Sequence, residues 1–251
     1  MPPLTPLGRK AFELDTRKLA SDIIVAFLAQ ALSIASSVAT TLILPKFLGI
    51  ESFGYWQLFL FYVSYIGFFH LGINDGVYLI NGGESRSRID KKDINSQFAF
   101  SNMYQLVFSA LLLLVALFGP FEEERCFVVS TTAILLTINN AGLFLGYLFQ
   151  AMNETKLFSF SAAIESIVFF SGLIALLILG FTDFKPYVLL YCISKAVRLL
   201  YCLTKSKDII SAGVEPLSLT AERSFSSIKV GIKLMISNIV GQLILSLIHI
   251  S

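Results

Sequence analysis

Four uninterrupted runs without a charged residue, at 23–45, 52–74, 94–121 and 126–153, constrain this chain more than any other feature. Each exceeds the roughly 20 apolar residues that cross a hydrocarbon core as a helix. A backbone in hydrocarbon must satisfy its own hydrogen bonds, and strand-length segments of the kind a barrel needs are not seen, so these runs predict helices. Two further segments are interrupted sparsely: 157–182 carries one charge, Glu165, and 186–204 carries two, Lys195 and Arg198. They are read as the fifth and sixth spans. A soluble domain is about one quarter charged, whereas only 14% of these 251 residues are, and mean hydropathy is +0.76. The expected fold is all-α, a polytopic membrane helix bundle made of one six-helix lobe plus the start of a seventh helix.

Punctuation along the chain divides it further. Residues 1–22 form a polar, proline-bearing arm with no secretory signal, because the first apolar run is too long for an h-region. The lobe follows at 23–205. Residues 206–228, with Gly213, Pro216 and serines at Ser224, Ser226 and Ser227, read as a linker. Residues 229–251 read as an incomplete seventh helix whose apolar run starts at Leu234. Its last seven residues, Leu-Ser-Leu-Ile-His-Ile-Ser at 245–251, resemble the in-frame translation of a transposase adapter used in sequencing libraries. On that reading His249 carries no functional weight; the alternative is an ordinary apolar helix end.

Lysine and arginine near helix ends are retained on the cytoplasmic side. The arm carries Arg9, Lys10, Arg17 and Lys18, the loop after span two Arg86, Arg88, Lys91 and Lys92, the loop after span four Lys156, and the segment after span six Lys205, Lys207, Arg223, Lys229 and Lys233. The opposite loops offer Lys46, Arg125 and Lys185, with Arg125 behind Glu122, Glu123 and Glu124. A cytoplasmic N-terminus and a cytoplasmic linker follow. Cys126, Cys192 and Cys202 form no CxxC pair and are read as packing residues.

After span one the chain reads Leu44-Pro45-Lys46-Phe47-Leu48-Gly49-Ile50-Glu51-Ser52-Phe53-Gly54-Tyr55-Trp56, and at the end of span two Phe69-His70-Leu71-Gly72-Ile73-Asn74-Asp75-Gly76, followed by Gly82-Gly83. Physically, Pro45 ends a helix, Gly49 and Gly54 allow a tight return, and Tyr55 and Trp56 suit an interfacial belt. These segments resemble the O-antigen type of polysaccharide flippase in the multidrug/oligosaccharidyl-lipid/polysaccharide exporter (MATE-like) superfamily. The resemblance runs through the chain in helix order. It implies two six-helix lobes, of which this chain supplies the N-terminal one. It also implies alternating-access transport of an undecaprenyl-pyrophosphate-linked oligosaccharide across a bacterial inner membrane for O-antigen, capsule or exopolysaccharide synthesis. The partners implied are the lipid-linked substrate, membrane lipid and a glycan polymerase or other assembly proteins, with no nucleic acid, cofactor or metal.

Ionisable groups in transmembrane helices cost about 2.5 to 3.5 kcal/mol each on insertion scales, which makes each one a functional candidate. Lys195 and Arg198 are three apart and share a helix face. Facing inward they would grip a pyrophosphate, Arg198 by its fork and Lys195 as a point charge; the other reading has both snorkel to the surface. Glu165 is expected to pair with one of them or to bind a coupling ion. His70 and Asn74 are four apart, one turn above each other on a continuous helix, and are offered as substrate contacts, with Asp75 as a coupling group. The competing reading is a capped helix end where Gly72 and Gly76 admit close packing. Asn139, Asn140 and Gln30 are read as inter-helix hydrogen bonds, and the aromatic pairs at 59–61 and 68–69 as lipid-facing.

No metal spacing, Ser/His/Asp grouping or phosphate loop is present in the sequence, and the loops are short. A membrane polymerase or acyltransferase is thereby disfavoured, and the chain is read as no enzyme. A drug or cation antiporter of the same superfamily is the closer alternative. Cavity charge separates the two, since organic cations want acidic lining and a pyrophosphate wants cations.

Overall fold

The computed structural model describes residues 23, 24 and 26–250, with side chains through residue 241. The N-terminal arm and the side chain of His249 lie outside that range. Every regular element among the described residues is a helix. The first, α1 (Ala26–Lys46), ends through a π-helical turn, Ala39–Ile43, and a 3-10 turn, Leu44–Lys46. Pro45, which lacks an N–H, stops it there as expected. Next come α2 (Ile50–Ile66), its 3-10 extension Gly67–His70, and α3 (Ile73–Ile80). Then follow α4 (Lys91–Phe118), α5 (Glu123–Ala151), α6 (Thr155–Ile178), α7 (Lys185–Lys205), the single turn α8 (Lys207–Ile210) and α9 (Leu217–Ile250).

Among these, α1, α4, α5, α6 and α7 are long and apolar enough to cross a membrane, and α2 with α3 makes a sixth if the pair, bent by 52°, is one span. The central post is α5, which packs on α2, α3, α4, α6 and α7. One apolar core gathers Trp56, Phe59, Leu135, Leu136, Phe169 and Tyr187; a second gathers Ile73, Val77, Phe144, Leu148, Phe149 and Cys202. Outward, large apolar side chains stand uncovered, among them Phe118 at 83% and Ile178 at 80% exposure. A surface of that kind marks contact with lipid or another protein rather than with water.

Contacts between the connecting segments gather them at two ends. At one end Arg86 clamps Glu154 with two N–H donors, at 2.8 and 2.5 Å, and also donates to Asp208 at 2.7 Å. Lys91 holds the other Asp208 oxygen at 2.7 Å. Partial burial pushes the Asp208 carboxyl up, but the bond from Lys91 and the charge of Arg86 outweigh it and hold it below its ordinary range. Asp90 caps α4 by accepting the N–H groups of Lys92 and Asp93, and the bond from Asp93 keeps its carboxyl low as well. At the opposite end Lys185 reaches Glu123 and Tyr55 donates to Glu122.

Three expectations about the helices need correction. The second span is not continuous: Leu71 (φ 53°) and Gly72 (φ 86°) are both left-handed, and α3 leaves at a new angle. The linker at 206–228 is half helix, since α9 starts at Leu217 and takes in the serine run. The segment is stitched to the start of α4: Asn95 donates to the Gly213 carbonyl at 2.8 Å, the Glu215 N–H to Ser96 at 2.7 Å, and Ser227 to Gln97 at 2.7 Å. Serines that resemble a loop in sequence serve here as small buried contacts, Ser224 and Ser227 being nearly fully covered. Finally, Trp56 and Phe59 are core residues at 1% and 0% exposure, neither interfacial nor lipid-facing, whereas Phe61 does face outward.

Candidate functional site

The charged residues of α6 and α7 meet inside the bundle. Lys195 Nζ lies 2.7 Å from Glu165 Oε1 and Arg198 Nη1 lies 2.9 Å from Glu165 Oε2. One carboxylate therefore holds both cations, and two positive charges against one negative leave the cluster at +1. The side chains are only 11 to 18% exposed, so neither cation escapes to the surface as the snorkelling alternative required. Aromatic rings complete the cradle: the Lys195 ammonium sits 5.4 Å over Tyr191 and the Arg198 guanidinium 6.0 Å over Phe158. Gly146 on α5 makes room for the guanidinium, since a Cβ there would stand 3.3 Å from Nη2. Arg198 Nε has no hydrogen-bond partner among the described residues.

Two chambers open on this cluster, with Glu165 and Ser33 in the wall of both. The first, about 300 Å3, is bounded by Gln30, Ser159 and Arg198. It lies toward the end that carries the basic loops. The second, about 330 Å3, reaches the other way past Lys195, Ser194, Tyr191 and Trp56 to Thr40. Clefts of this size with a few convergent polar groups are where small ligands are commonly held. The contribution of α1 was missed in the sequence: Ser33, Ser36, Ser37 and Thr40 recur at helical spacing and line the second chamber. Gln30, expected in an inter-helix bond, lines the first.

The other candidates gather at the α2–α3 break. His70 accepts the Gly72 N–H on Nδ1 at 2.9 Å, and its carbonyl accepts the Tyr104 hydroxyl at 2.8 Å. Its Nε2 stands 3.5 Å from Asp75 Oδ2, too far for a good hydrogen bond, and that oxygen has no other partner among the described residues. His70 also lines a separate cavity of about 410 Å3 with Tyr147, Ser237 and Asn238. Asn74 is fully buried and donates to the Asn140 carbonyl at 3.3 Å, while Asn140 donates to Ile66 at 2.9 Å. Because the break separates His70 from Asn74, the continuous stripe expected from their spacing does not form. Asn140 instead satisfies a carbonyl at the opened end of α2 and Asn74 ties α3 to α5, the helix-to-helix use foreseen for Asn140. Among the described residues Asn139 donates only to its neighbour Asn140, at 3.4 Å, and makes no inter-helix hydrogen bond.

Close packing at Gly72 and Gly76 is present in an extreme form. A Cβ on Gly72 would stand 2.7 Å from the Ile232 nitrogen, and one on Gly76 would overlap the Ser227 carbonyl. From the other side, a Cβ on Gly231 would collide with the Gly72 carbonyl and the Gly76 nitrogen. This is the small-residue pairing by which helices approach backbone to backbone. Cys126, Cys192 and Cys202 are all unpaired. Compared with family models, curated proteins and solved structures, the chain matches none of them.

Proposed function

We propose that the chain is a lobe of a carrier for an anionic, lipid-linked glycan head group, a flippase of the bacterial cytoplasmic membrane that works by alternating access. A hydrated pyrophosphate crossing hydrocarbon needs hydrogen bonds and cations at depth while its lipid tail stays outside. The observation that carries the reading is the Lys195–Glu165–Arg198 cluster at +1 between two polar chambers. An incoming diphosphate offers more negative charge than Glu165 does. It can therefore draw on the spare donors of Arg198 and Lys195, the bidentate geometry of guanidinium favouring the exchange. The net positive sign also speaks against an organic-cation antiporter, for which the acidic group would have to dominate. The concentration of lysine and arginine at the end bearing 81–92 and 205–207 supports a cytoplasmic assignment for that end.

The test is a strain whose chromosomal gene carries Arg198→Ala, with surface polysaccharide measured on whole cells. A fall of tenfold or more, with the protein still present in the membrane, is the expected result. Unchanged surface glycan removes Arg198 from the site and leaves the reading without its electrostatic basis.

A further inference from the structure

The second chamber has a chemistry the charged cluster alone does not need. Its wall carries hydroxyls from three helices: Ser33, Ser37 and Thr40 on α1, Ser166 on α6 and Ser194 on α7. Thr40 donates its proton to the carbonyls of Ser36 and Ser37, and Ser194 donates to Tyr191. Thr40 and Ser194 thereby keep oxygen lone pairs free to accept, while Ser33, Ser37 and Ser166 can donate or accept. Trp56 lines the same chamber; it is 1% exposed, yet its Nε1 has no hydrogen-bond partner among the described residues. A buried N–H left unpaired costs about 1–3 kcal/mol, a cost that an acceptor on a bound ligand relieves if the indole shifts to admit it. The indole is packed parallel to Phe169 at 6.4 Å and met edge-on by Tyr191 at 6.4 Å.

Hydroxyls from three helices, one buried donor without an acceptor and aromatic rings in the wall match a polyhydroxylated ring. Lys195 stands at the edge of the same space. We propose that this chamber is a sugar subsite, which receives the first sugar of a glycosyl phosphate whose charged group rests on Lys195 and Arg198. The proposal rests on the carrier reading above and adds to it where the sugar sits. It orients the substrate: phosphate at the Glu165 waist, sugar toward Trp56 and Thr40.

Trp56 is the one tryptophan in the sequence, so its emission reports on the chamber directly. The purified chain in detergent is titrated with inorganic pyrophosphate and with the 1-phosphates of glucose, galactose and N-acetylglucosamine, binding being followed in parallel by calorimetry. At least one sugar phosphate is expected to change the emission saturably, while pyrophosphate binds and leaves it unchanged. Trp56→Phe is expected to weaken that sugar phosphate about tenfold with pyrophosphate within about twofold, the loss of one buried hydrogen bond. Ser37→Ala, at an exposed position that keeps the indole in place, is expected to raise the half-saturating concentration about threefold. Emission that ignores all three sugar phosphates while pyrophosphate binds, or that answers pyrophosphate equally, overturns the sugar subsite and leaves the anion site standing. Failure of pyrophosphate to bind at all overturns the carrier reading itself.

Discussion

Between α6 and α7 three charges are buried against one another, whereas at the α2–α3 break the carboxyl of Asp75 faces a histidine 3.5 Å away and little else. The two sites have comparable burial and opposite construction. In the first, charge is compensated by charge, on helices that run unbroken past it. In the second, compensation is a matter of backbone: an opened helix end whose carbonyls are taken up by Asn140 and Tyr104, with glycines letting α9 lie against it. Electrostatics should therefore govern the first site and sterics the second.

Substitutions can break that contrast. The largest effect is expected for Glu165→Gln, which leaves two buried cations without a counter-charge. Breaking a buried pair costs about 3–5 kcal/mol, or roughly 10 °C in the melting midpoint of a chain this size. An unchanged midpoint in detergent would show that the cluster is not held by charge. A smaller loss, about 1–3 kcal/mol, is expected for Gly76→Ala, whose methyl must displace the Ser227 backbone. Gly54→Ala is its control, since nothing lies within 4 Å of a Cβ there, and it should melt no lower than the parent. The smallest effect is expected for Asp75→Asn, which keeps the shape and disturbs an oxygen with no hydrogen bond to lose. A shift below about 1 kcal/mol sharpens the contrast; a drop like that of Glu165→Gln erases it.

The same contrast explains what could be read in advance. Spans follow from long charge-free runs, and the shared face of Lys195 and Arg198 follows from helical periodicity, so both were legible. So was their partnership with Glu165, because three ionisable groups at membrane depth have few other ways to be neutralised. The break was half legible: Gly72 pointed to a loosened helix end, but the apolar pattern continues across Leu71, whose positive φ leaves no mark in a leucine. The start of α9 was hidden for a related reason. Ser224 and Ser227 have the composition of a loop, and only the proximity of α3 and α4 turns their small size into a packing asset. Trp56 was assigned to the interface on residue type, yet the rings of Phe169 and Tyr191, distant in sequence, enclose it.

The meeting of α3 with α9 sets a rule for how the molecule is able to deform. Where side chains separate two helices, rotamers yield and one rod can creep past the other by fractions of a turn. Here no such cushion exists, so Ile73–Ile80 and its neighbour must travel as a single girder. Because Ser227 also ties α9 to α4, this unit is braced on two sides, and Leu71 with Gly72 is the joint between it and α2.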